Sequence, residues 1–204
     1  MQYTHCPTFQ YYLKQYEILC QYPLMYIPLL VALLDKWFVK SNLLLPSFSI
    51  VMTKWGIDHG TWTVLVHMFP DDDIPVVQLS VNRHLDPQQS YELGQKLASL
   101  REQGYLIFGS GNVVHNLGRV EWDNPDGTEM THRFNDAITQ SIVSHDHASV
   151  IHYDTHPDAA YAVPTPDHFL PLLYCLGAAG NDKVKAFNNV CNLGSMAMTG
   201  YVFG

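Results

Sequence analysis

One helix pattern, closely flanked by two apolar runs, constrains this chain more than any other feature. "IPVVQLSV", Ile74 to Val81, is β-branched and reads as a strand. "DPQQSYELGQKLASLREQG" then carries complete helix punctuation. Asp86 is the cap, Pro87 takes the first turn, Gln89 completes a capping box and Gly104 closes the helix. Leu93, Leu97 and Leu100 recur at helical spacing and predict the buried stripe. "YLIF" follows at once as a second strand. Strand, helix and strand with short links make a βαβ unit, which implies a right-handed crossover and a parallel sheet. The expected fold is α/β: a parallel-rich, mixed sheet flanked by helices in one domain.

That second strand runs into "GSGNVVHNL", where Gly109-Ser110-Gly111 breaks the chain and delivers His115 just beyond the break. A core histidine needs no glycine hinge ahead of it. Open α/β sheets place their chemistry at the carboxyl ends of strands. Two further histidines share this grammar. His59 opens a helix pattern, "DHGTWTVLVHMF", behind Asp58. His168 follows Thr165-Pro166-Asp167, which predicts that it sits in the first turn of a helix anchored by Phe169, Leu172, Leu173 and Leu176. A protonated histidine there opposes the helix dipole, so the neutral, metal-binding form is expected.

Histidine is abundant, 11 in 204 residues, and "SHDHASVIHYDTHP" concentrates four of them, His145, His147, His152 and His156. His152 and His156 have the i, i+4 spacing of a metal pair, but Pro157 ends any helix there. The stretch is read as a polar face. Ahead of it, "TEMTHRFNDAITQSIV" is an amphipathic helix pattern with Met130, Phe134, Ala137, Ile138 and Ile142 on its apolar side.

Composition narrows the classes. The chain is 47% hydrophobic, enough for a full core, and its formal net charge is −8. No Lys/Arg cluster stands out, so nucleic acid is not an expected partner. Cys6, Cys20, Cys175 and Cys191 form no C-x-x-C pair and read as reduced thiols of a cytoplasmic protein. Residues 1–55 differ from the rest, being aromatic and leucine-rich around "CQYPLMYIPLLVALLDKWFVK". Pro23 and Pro28 interrupt that apolar run, and a spanning helix needs about 20 apolar residues. The expectation is a divergent apolar segment with a partly buried helix, not a membrane span, ahead of a catalytic domain at 56–204. "MQYTHC" lacks the basic start of a signal peptide.

From Trp55 to Gly204 the sequence resembles the class III extradiol ring-cleavage dioxygenases, nearest the 4,5-DOPA dioxygenase extradiol branch. "WGIDHGTWTVL", "DIPVVQLSV", "ELGQKLASLREQGYLIFGSGNVVHNL", "HPDAAYAVPTPDHFLPLLYCLGAAG" and "GSMAMTGYVFG" carry the resemblance in the family's order. It implies O2 insertion beside the hydroxyls of a catechol, a small aromatic diol, at a mononuclear non-haem metal. Fe(II) serves turnover, and Zn(II) is an alternative occupant. By motif, His115 matches a histidine that is catalytic acid/base in one branch and a metal-site residue in another. His168 matches a metal-site histidine, and His59 one near the substrate. A histidine with pKa near neutrality can take a catechol proton and return it.

The sequence also departs from that pattern. The family's "HGSP"-like and "SAHW"-like segments, which carry two more metal histidines, have no counterpart here. His5 is the only histidine before His59, and "LLDKWF" puts Lys36 where a ligand would stand. The amino-terminal part therefore reads as truncated or replaced. Beside the active enzyme stands an alternative, an inactive relative kept as a binding module or a decayed fragment. A zinc hydrolase is a third class, without the H-E-x-x-H helix that would supply its base.

Overall fold

The computed structural model describes residues 25–26, 31–32, 59–71, 76, 78–82 and 84–204. In chain order its strands and helices are β1 (Met25–Tyr26), β2 (Val31–Ala32), α1 (His59–Met68), α2 (Pro87–Arg101), β3 (Ile107–Gly109), α3 (Glu129–Val143), α4 (His147–Ile151), α5 (Ala159–Ala162), α6 (Leu170–Ala179), β4 (Val184–Phe187), β5 (Cys191–Asn192), β6 (Met196–Ala197) and β7 (Gly200–Phe203). Short 3-10 turns cover Leu117–Arg119, Tyr153–Thr155 and Pro166–His168. Helices and strands mix in one domain.

Helix α2 forms where its punctuation predicts. Asp86 Oδ1 accepts from the Gln89 main-chain N–H at 2.7 Å, and Gln89 Oε1 accepts from the Asp86 N–H at 3.1 Å. Gly104 takes φ +87°, a left-handed conformation that glycine adopts at no steric cost. Leu93, Leu97 and Leu100 are buried against α6. The two helices touch backbone to backbone. A Cβ on Gly94 would lie 2.2 Å from the Tyr174 carbonyl oxygen, and one on Gly177 would lie 2.1 Å from that of Tyr91. Every residue of α6 is buried, which suits a helix apolar on all sides. Among the described residues no helix is long and apolar enough to cross a membrane.

The sheet corrects the sequence reading. Its order is β2-β3-β1-β7-β4. Only β1 and β3 pair in parallel, with Met25 opposite Phe108; β1–β7, β2–β3 and β4–β7 are antiparallel. The sheet is mixed, but among the described residues it is not parallel-rich. The expected strand at Ile74–Val81 is the reason. Its described residues, 76 and 78–81, form no ladder. Pro75 has no N–H to donate to one, which disfavours a central strand. Leu79 and Val81 pack on the main core instead, and the Asn82 N–H reaches the Tyr174 hydroxyl at 3.4 Å. Leu79 and Val81 are thus held by packing, and among the described residues the βαβ unit shows no first strand.

The main core gathers α2, α3 and α6 around the buried rings of Phe134, Phe169, Tyr174 and Tyr201. In α3, Phe134, Ile138 and Ile142 are buried as the periodicity predicts, whereas Met130 is exposed at the first turn. A second cluster joins Leu65 of α1 to Phe108 of β3 and Val202 of β7. Helix α1 thereby lies against the strand that leads to His115. The apolar lead at 1–55 lies outside the described residues apart from β1 and β2, and so do Cys6 and Cys20.

Candidate active site

His115 stands where strand β3 has ended and the glycine break has turned the chain. Its main-chain N–H donates to the Ala162 carbonyl at 3.0 Å, and it bridges Met196 of β6 in antiparallel fashion. The Ala197 N–H donates to the Val114 carbonyl at 3.0 Å. His115 is therefore registered to β6 by main-chain bonds on both sides. The next residue is held as firmly. Asn116 Nδ2 donates to the Tyr161 carbonyl at 2.7 Å, and the buried Ser195 hydroxyl donates to the Asn116 carbonyl at 2.7 Å.

His168 comes from the turn just ahead of α6. The predicted helix start is displaced: Pro166–His168 is a 3-10 turn, and α6 begins only at Leu170. Thr165 gives no side-chain cap to this turn. The dipole argument for a neutral His168 accordingly fails. Its nearest ionic neighbour is Asp167, whose Oδ2 lies 3.6 Å from His168 Nε2. Burial pushes the Asp167 carboxyl upward, but hydrogen bonds from Thr165 and its own backbone, with the histidine charges, outweigh this and hold it below the ordinary value.

The two imidazoles meet face to face, with ring centroids 3.5 Å apart and planes 12° from parallel. Burial lowers the His115 pKa below its ordinary value, and a charge on His168 lowers it further, against a smaller opposing pull from Asp167. His115 is thus biased toward the neutral form, the state of a proton acceptor. Of the three histidines expected to converge, the structure brings these two together. The backbone of His59 opens α1, as its capping pattern predicts, but its side chain lies outside the described residues.

The implied metal is a test this pair does not pass as placed. Imidazole lone pairs lie in the ring plane, and metal–nitrogen bonds run about 2.0–2.1 Å. Rings stacked as these are point their lone pairs along near-parallel planes, which do not converge on one ion. Among the described residues no group of three His, Cys, Asp or Glu could hold a metal ion. Catalytic sites usually supply three protein ligands.

The histidine-dense stretch has other occupations. His147 Nδ1 is 2.9 Å from the Tyr91 hydroxyl, and His156 Nδ1 accepts from the Asp158 N–H at 3.1 Å while its ring meets Phe134 edge-on. His145 and His152 are exposed. Sequence reasoning missed Asn112, Asn116 and Ser195. The asparagines that bracket "VVH" in "GSGNVVHN" were the visible signal, but their partners are main-chain groups far along the chain.

The sequence from residue 37 to 204 matches the family described as the catalytic LigB subunit of aromatic ring-opening dioxygenase. The chain belongs to this family. Among curated LigB-type relatives, it is 37% identical over 155 residues to a 4,5-DOPA dioxygenase extradiol of Escherichia coli K12, and 38% identical over 152 residues to one of Beta vulgaris. Each match takes in 74% of this chain and 57% of the relative, so the chain spans little more than half the length of these relatives. The crystal structure of an uncharacterized protein from Escherichia coli K12 superposes with a TM-score of 0.77 at 26% identity, covering 100% of this chain and 95% of the other.

Proposed function

We propose that the chain works in extradiol ring cleavage, the insertion of O2 beside the hydroxyls of a catechol of the DOPA type. The observation that carries this reading is the close, face-to-face pairing of His115 with His168 beyond β3. His115 is the acid/base. Its neutral imidazole accepts a proton from a catechol hydroxyl, raising electron density on the ring oxygen, and returns the proton as the ring opens. His168 is the imidazole on the metal side, and His59 lies near the substrate. Residues 56–204 form the catalytic domain in this reading, behind a divergent segment at 1–55. Fe(II) is the metal the reading requires, with Zn(II) as an alternative occupant, because imidazole suits both; to hold either ion, the His168 ring would turn out of its stack with His115.

A second reading, a relative that binds catechols without turning them over, is favoured by one observation. The described residues furnish two imidazoles and no third metal ligand. Oxygen uptake separates the two. The chain is loaded anaerobically with Fe(II) and given a catechol and then O2. Uptake of O2 with a ring-opened product supports the enzyme. Catechol binding by calorimetry with no uptake supports the binding module.

A further inference from the structure

We propose that Asn112 is a positioning residue for the His115–His168 pair, linking the frame that holds one histidine to the frame that holds the other. The assignment rests on the reading of these histidines as the reacting pair. His115 is fixed to β6 through Val114, Ala197 and Met196. His168 is fixed to the glycine turn, because the Asn112 main-chain N–H donates to its carbonyl at 2.9 Å. The Asn112 side chain joins the two. Its Nδ2 donates to the Ala197 carbonyl at 3.0 Å and lies 3.6 Å from Met198 Sδ.

Ala197 is thus held at both of its main-chain groups, its N–H by the Val114 carbonyl and its own carbonyl by Asn112. Without that amide, the turn at 109–112 can slide against β6. His168 then moves with the turn while His115 stays with the strand. The approach is already tight, since Gly111 leaves no space for a Cβ beside the His168 carbonyl. A reacting geometry displaced by about 1 Å can cost roughly a hundredfold in rate. Asn112 touches neither the substrate position nor the rings in this account. It acts through the chain segments that carry them.

The structure supplies its own control. Asn188 Nδ2 donates to the Met198 carbonyl at 3.0 Å, an amide-to-backbone bond onto the residue after Ala197, with no link to the His168 turn. Asn112→Asp and Asn188→Asp each replace the amide donor by a carboxylate of the same shape. Asp also tolerates the positive φ at position 188.

The test is NMR of the full chain with labelled histidine, metal-free, with thermal melts and ring-cleavage kinetics in parallel. Stacked rings shift each other's proton signals upfield. Both variants are expected to lose thermal stability. Only Asn112→Asp should lose the upfield shifts of His115 and His168, with kcat falling about a hundredfold while KM changes little. Asn112→Ser, which keeps a short donor, should restore part of both. Should Asn112→Asp fail to fold, the serine variant carries the same comparison, a partial loss being expected and unchanged signals overturning the proposal. Equal signal changes in the Asn112→Asp and Asn188→Asp variants, or none in either, also overturn it. If the unmutated chain turns over no catechol, the functional reading fails, while the NMR arm still decides whether Asn112 places the pair.

Discussion

The rings of His115 and His168 stack at 3.5 Å although the residues belong to separate elements, and Gly111 is what lets the turn ahead of His115 close against the His168 backbone. A Cβ on Gly111 would fall 1.8 Å from the His168 carbonyl oxygen, against backbone rather than a side chain that can swing away. Gly111→Ala should therefore destabilise the chain by about 2–4 kcal/mol, in the range of severe core overpacking. Gly104→Ala meets nothing within 4 Å and bears only the strain of φ +87°, so it should cost about 1 kcal/mol. Urea denaturation of the two variants checks the order.

Arg133 and Asp158 tie α3 to the turn ahead of α5. Arg133 Nε and Nη2 each donate to the Asp158 carboxylate at 2.9 Å. These hydrogen bonds, and the Arg133 charge, hold the Asp158 carboxyl below its ordinary value. The unfolded chain then binds the proton more readily than the folded one. The contribution to stability is full above the ordinary carboxylate pKa, about 3.9, and disappears as pH falls through the lower folded value. Melting temperature against pH should drop on the acid side of pH 4, and less steeply in Asp158→Asn. Equal slopes in both proteins would remove this pair from the acid response.

Cys175 lies in α6 with no exposed surface, and burial pushes its thiol up to about 12. Thiolate is the reactive form, so the native side chain should resist alkylation at neutral pH. Its modification should track global unfolding, because α6 is the centre of the core. Mass spectrometry of the Cys175 peptide across a urea series checks this, and rapid labelling in native buffer is the contrary outcome.

Local chemistry was legible in the sequence, and long-range pairing was not. Helix α2 could be read in full because its cap, first-turn proline and closing glycine all act within a few residues of one another. His115 was marked by the glycine break in front of it. The described residues of the run Ile74–Val81 form no ladder, because an apolar, β-branched run reports burial, and Leu79 and Val81 meet it by packing. The same limit hid the antiparallel pairing of β7 with β1 and β4, which depends on segments far apart in sequence. Thr165-Pro166 was read as the start of a helix, yet the turn it starts is 3-10 and too short to carry a helix dipole to His168. Asn112 and Asn116 were visible beside His115 but their partners were not, and Ser195 gave no signal, because all three bond to backbone carbonyls, which are identical at every position.

The central claim, that His115 moves protons in a site His168 shares, is tested most directly by measuring turnover and bound iron together in three proteins. These are the unmutated chain, His115→Ala and His168→Ala, each loaded with Fe(II) and assayed with a catechol by oxygen electrode. The account predicts that His115→Ala keeps most of the iron bound by the unmutated chain while its turnover falls by about 10²–10⁴-fold, the range expected for a lost acid/base. His168→Ala should lose iron, and turnover with it. Equal iron loss in both variants, or turnover in His115→Ala matching the unmutated chain, would contradict the assignment.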